Sequence, residues 1–160
     1  MWLFPILLFL ACAGDSLDDR HADLYDAVAE YVEPLGLTWD STAVRVAWVD
    51  LNRDGVDDAL LYLRGDVWCG SGGCTVLVFE AMDGVDAEEF GAYRPAAEIS
   101  LMHGSIVVAD GEGLWRDLIA EGDDGRFHVL SFDGETYPLS PGGAPFLEGP
   151  LPAGTTVFAE

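Results

Sequence analysis

Hydrophobic and polar positions follow three regimes along the chain. Residues 1-14 are almost wholly apolar. From Ser16, the stretch "SLDDRHADLYDAVAEYVEPLG" places Leu24, Ala27, Val28, Tyr31 and Val32 at the spacing of one helix face, and Ser16 with Asp19 three residues on has the pattern of a capping box. This predicts one N-terminal amphipathic helix over about 17-33, stopped at Pro34, which cannot continue it. From residue 43 short apolar and β-branched runs take over, at 43-49, 57-64, 74-80, 96-101, 105-109, 115-121, 126-132 and 135-138. Glycine-rich or aspartate-rich turns separate them, so the region about 43-138 reads as an antiparallel β-meander. The segment 139-160 includes "SPGGAPFLEGPLPAG", with four prolines and four glycines, and reads as an extended covering tail. The fold class is therefore α+β, one helix followed by a meander, in a single domain spanning 12-160.

Composition adds two constraints. Half the residues are hydrophobic and 11% aromatic, which is enough to build a core in spite of the charge. Seven basic residues, all arginine, face 29 acidic ones, for a formal net charge of -22. Nucleic acid is excluded as a partner, because phosphate binding needs basic side chains to displace counterions, and an anionic lipid surface would repel the chain. Metal cations or a basic protein are the natural counter-charges.

The apolar run from Trp2 to Ala11, then small residues, then the acidic "DSLDD", has the form of a signal-peptide h-region too short to span a bilayer. Two cleavage readings stand. Ala11-Cys12-Ala13 has the small-x-small pattern of an ordinary signal peptidase site, which would release a soluble protein after Ala13. The alternative is "FLAC", which resembles the lipobox of bacterial lipoproteins; that resemblance implies a signal peptide over 1-11 and lipidation of Cys12. The expected location is the cell envelope, with the domain held by a lipid anchor and facing the periplasm or the exterior. Cysteine arithmetic favours the lipoprotein: of Cys12, Cys69 and Cys74, the last two are partners for each other, and lipidation accounts for the first. In an oxidising envelope Cys69 and Cys74 are expected to close "CGSGGC" as a disulfide at the tip of a hairpin.

The sequence also resembles a group of small exported bacterial proteins that share an aspartate-rich turn, an aromatic-CGxGGC-T hairpin and two later markers. Those markers are here "LWRDL", Leu114 to Leu118, and "FDGETYP", Phe132 to Pro138. The resemblance covers about residues 45-138 and implies an exported α+β fold with no particular activity.

No catalytic constellation stands out. His21, His103 and His128 share no metal-ligand spacing, and there is no G-x-S-x-G elbow. With 29 carboxylates, no particular pair can be nominated for acid-base work. Trp48, Trp68, Trp115, Phe132 and Tyr137 lie in or beside expected strands and read as core. The expectation is a protein that is not an enzyme.

The remaining signal is "DLNRDGVDD", Asp50 to Asp58. Asp50, Asn52, Asp54 and Asp58 place side-chain oxygens at the first, third, fifth and ninth positions of an EF-hand loop, Gly55 permits the sharp turn, and Val56 offers its carbonyl. Leu61 stands where the bidentate glutamate belongs, so the loop is more similar to the strand-loop-strand calcium loops of integrin-type FG-GAP repeats. The alternative is an Asx-rich polar turn that uses the same residues without metal. Calcium needs ~6 to 8 oxygens, so a distant carboxylate or water would complete the shell and binding would be weak. Two functions follow. One is a lipid-anchored, calcium-stabilised, disulfide-stapled binding or structural domain, directed at an unknown envelope protein or polymer. The other is an acidic inhibitor of a basic envelope hydrolase such as lysozyme.

Overall fold

The structure, a computed structural model, describes residues 17–159. The expected signal segment, Cys12 and the Ser16 cap lie outside the described residues. Helix α1, Leu17–Val32, buries Leu24, Val28 and Val32, the face its spacing predicts. Pro34 opens a short 3-10 turn over Glu33–Leu35, so the helix stops slightly short of the proline. Eight strands follow: β1 Val44–Val49, β2 Asp58–Leu63, β3 Cys69–Gly70, β4 Gly73–Ala81, β5 Tyr93–Ala109, β6 Asp117–Glu121, β7 Phe127–Leu130 and β8 Gly154–Val157. A second, short helix α2, Gly84–Phe90, stands between β4 and β5 with no buried residue.

The molecule is α+β, and every strand pairing is antiparallel, in the order β1-β2-β4-β5-β6-β7. A plain meander does not describe it, because β3 forms a side hairpin on β4 and β8 returns from the tail to pair with β5. The expected strands at 96-101 and 105-109 are one long strand. It bends where Leu101 and Gly104 take positive φ, both +59°, and where its register to β6 slips between His103 and Ile106. Residues 93–102 pair with β4, whereas 103–109 pair with β6 and 106–109 with β8 as well.

Side chains of β2 and β4 alternate between two cores. Ala59, Leu61, Leu63, Leu77, Phe79 and Ala81 pack under α1 with Leu24 and Val28. On the opposite face, Leu60, Val76 and Val78 share a core with Ile106, Val108, Leu118, Ala120, Leu130 and Val157. The sheet therefore folds over itself at the bend in β5, and strands buried on both faces read in sequence as nearly continuous apolar runs. No strand forms at 135–138; Tyr137 is instead a fully buried side chain in a loop.

Candidate functional site

The two resemblance-bearing markers and the aspartate loop, far apart in sequence, meet in one place. Leu51, fully buried, fixes the start of the loop in the core, where Trp115, Phe132 and Tyr137 also pack. Trp115 stacks on Phe132 with ring centroids 4.2 Å apart, and Tyr137 meets both rings edge-on. Tyr137 donates its hydroxyl hydrogen to the Arg116 carbonyl at 2.6 Å; burial holds that phenol far above its usual range. Arg116 in turn clasps the loop backbone: its amide donates to the Leu51 carbonyl at 2.8 Å and its Nε to the Asp50 carbonyl at 2.9 Å. Arg53, inside the loop at φ +63°, crosses to the 110–113 segment, donating to the Gly113 carbonyl at 2.7 Å and approaching Asp110 at 3.3 Å. These contacts hold a non-glycine residue in the left-handed region.

Within the loop, side-chain oxygens take over the backbone's hydrogen bonding. Asp50 accepts from the amides of Asp54 and Gly55, each at 3.2 Å, Asn52 accepts from Asp54 at 3.0 Å, and Asp54 accepts from Val56 at 2.7 Å. The structure thus brings Asp50, Asn52, Asp54 and the Val56 backbone together around one turn. Among the described residues, no arginine forms an ion pair with Asp50 or Asp54; Arg20 reaches Asp57 at 3.7 Å, and Arg53 and Arg116 both pair with Asp110.

Asp58 stands apart. It is fully buried at the start of β2, where one carboxylate oxygen accepts from the amides of Leu51 at 2.8 Å and Asn52 at 3.3 Å, and the other from Ala81 at 2.9 Å. Its carboxylate ties the loop to the end of β4. Burial raises its pKa to about 6, with the three amides pulling the other way. Spacing alone makes it a loop oxygen equivalent to the others, because its amide partner on β4 is remote in sequence.

Glu80, on β4, is the residue that spacing missed. Its Oε1 accepts from Asn52 Nδ2 at 3.3 Å, while Oε2 pairs with Arg94. It brings a further carboxylate to the loop from a different strand, and no local pattern signals it. Among the described residues, no three His, Cys, Asp or Glu side chains gather as a ready-made metal site; the loop's own set includes an amide and a carbonyl.

The other feature read from sequence is close to expectation. Cys69 and Cys74 lie directly opposite each other in the β3–β4 register and at disulfide distance. The glycine tip does not stand free. A side chain at Gly73 would lie 2.6 Å from the Met102 carbonyl oxygen, and one at Gly72 would lie 3.0 Å from Leu101 Cδ2. The hairpin is laid against the bend of β5, which requires glycine.

The three histidines are scattered, as their sequence spacing suggests: His21 lies edge-on to Tyr25 and Trp48, His103 bonds Asp123 at 2.8 Å, and His128 is buried in β7. Compared with known protein families, curated proteins and solved structures, the chain matches none.

Proposed function

We propose that the chain is a lipid-anchored domain of the bacterial cell envelope with a binding or structural role, and that calcium stiffens its Asp50–Asp58 loop. The observation that carries the calcium reading is the gathering of Asp50, Asn52 and Asp54 on one turn, with Asp50 and Asp54 free of arginine partners and Glu80 beside Asn52. A divalent cation held by Asp50, Asn52, Asp54 and the Val56 carbonyl would offset the mutual repulsion of these carboxylates. Glu80 is the candidate for the distant carboxylate that completes the shell, and Asp58 anchors the loop from below.

With so few protein ligands the affinity is on the order of 10⁻⁴ M. At about ten times that concentration, calcium raises stability by roughly 1.4 kcal/mol, or a few degrees of melting temperature. A thermal melt with chelator or millimolar calcium, run beside Asp54→Ala, tests this. The parent should shift and the variant should not. No shift in the parent, or an equal one in the variant, leaves the loop a polar turn.

A second reading, an inhibitor of a basic hydrolase such as lysozyme, draws on the charge distribution. Five of the seven arginines pair with carboxylates of this chain, at Asp57, Asp110, Glu80, Asp110 and Asp124, so the surface shown to a partner is overwhelmingly acidic. A muramidase assay with the purified domain decides: inhibition that fades with salt supports it, and unchanged activity at low salt removes it.

A further inference from the structure

His128 is 5% exposed in β7, yet both its ring nitrogens are engaged: Nδ1 lies 2.9 Å from the Ala144 carbonyl oxygen and Nε2 lies 3.1 Å from Asp124 Oδ1. Neither partner can donate. A backbone carbonyl only accepts, and the Asp124 carboxyl is held far below its usual range by the hydrogen bonds from His128 and Arg126, so it is ionised. Each ring nitrogen must therefore carry a hydrogen, and the ring that satisfies both partners is the imidazolium.

The two bonds run to different pieces of the molecule. Asp124 belongs to the β6–β7 turn, and Ala144 follows the Pro141–Gly143 turn of the C-terminal tail. The same tail lies along β7, with the Val129 amide donating to Pro145 at 2.8 Å and the Leu147 amide to Phe127 at 2.7 Å. Arg126, paired with Asp124, places its guanidinium 4.6 Å from the Phe146 ring centroid. A cavity of about 350 Å³ lies between the turn and the tail, with His128 in its wall.

We propose that His128 is a proton-operated clasp: charged, it locks tail residues 141–147 onto β7, and neutral, it lets that segment lift and opens the cavity. A neutral ring leaves one nitrogen lone pair facing an oxygen lone pair, at Ala144 or at Asp124, inside a buried site.

The charged groups around the ring agree with this assignment. The turn supplies Asp124 and Arg126 and, lining the same cavity, Asp123; neighbouring β6 ends at Glu121; the tail supplies only carbonyls and the Ser140 hydroxyl. His103 of β5 bonds Asp123 and not the tail. The Ala144 carbonyl, first, and then Asp124 raise the pKa of His128 above the usual 6.5. Its stabilisation is thus complete below pH 6.5 and lost as pH rises through the raised value. That of Asp124, whose pKa is lowered, is lost only in strong acid.

Hydrogen exchange on the full chain reads the clasp directly, at the Val129 and Leu147 amides from pH 6 to 9, after correction for intrinsic rates. Between pH 6.5 and the raised pKa, opening of this segment should grow by up to tenfold per pH unit, the slope for one released proton, and level off above it, while amides of β2 keep their protection. In His128→Gln that slope should vanish. Should this variant not fold, ring nitrogen shifts of the parent serve instead, and both nitrogens should be protonated at pH 6. A single neutral tautomer at pH 6, a flat profile in the parent, or loosening of β2 in parallel would overturn the clasp.

Discussion

The aspartate loop between β1 and β2 and the glycine hairpin between β3 and β4 are both turns with φ-positive glycines, and they are held in opposite ways. Residues 50–58 use side chains: carboxylate and amide oxygens accept from the loop's own amides, and Arg53 and Arg116 tie it to the 110–113 segment and to the Asp50 and Leu51 carbonyls. The "CGSGGC" tip dispenses with side chains, lies on the backbone of β5 and is closed by a covalent bridge. Gly55, at φ +93°, has open space around the position of a side chain, whereas Gly73, at φ +112°, has Met102 and Leu101 backbone within 3.0 Å of it. One turn is set by electrostatics and should respond to protons and, on the calcium reading proposed above, to cations. The other is set by steric fit and should ignore both.

Gly73→Ala sets the scale of that contrast. It meets both backbone strain and a backbone clash that cannot relax, for a loss of about 4 kcal/mol, while Gly55→Ala meets strain alone, about 1 to 2 kcal/mol. Urea unfolding of the two variants measures the difference, and equal losses would erase the distinction.

The next effect in size is pH on the polar loop. The folded-state pKa of Asp58 is about 6, above the usual 3.8 of an aspartate, so its contribution is complete below about pH 4 and lost as pH rises through 6. Between pH 4 and 7 the parent should lose about 3 kcal/mol relative to Asp58→Asn, as buried Asp58 ionises. Parallel pH profiles of the two proteins would show that the three amides fully compensate for burial. The smallest effect belongs to the bridge. Replacing both Cys69 and Cys74 by serine should cost about 2 kcal/mol, the entropy of a short closed loop, and the loss should be the same at pH 5 and pH 8. A loss that changes with pH would mean that the two turns are not independent.

Local pattern carried most of the scaffold. The apolar stripe of α1, the strands at 44–49 and 58–63 and the cysteine hairpin are set by near neighbours in sequence, and they fall where periodicity places them. What escaped depends on partners remote in sequence. The run at 135-138 looks like a strand because Tyr137 is aromatic, but the side chain is drawn into the core by Trp115 and Phe132 and by its bond to Arg116. "GTTV" at 154–157 reads as part of the extended covering tail after so many prolines and glycines, and becomes β8 only because β5 offers it an edge. Helix α2 buries nothing and so leaves no apolar stripe to read. In the loop, spacing found Asp50, Asn52 and Asp54 but could not separate Asp58, whose amide partner at Ala81 lies on another strand, nor find Glu80.

The length of β5 bears on the order in which the molecule can assemble. Its first half joins β1, β2 and β4 through neighbouring segments, so that part can zip together from hairpins. Its second half pairs Ile106 with Val157 and Ala109 with Gly154, residues that become available only after most of the chain has emerged. Until then, residues 106–109 present an unpaired, largely buried-type edge rich in valine, the kind of surface on which chains pair with one another. Arrival of the tail turns that edge into an interior strand, so late shortening of the chain should appear first as aggregation during folding, before any change in the parts already formed.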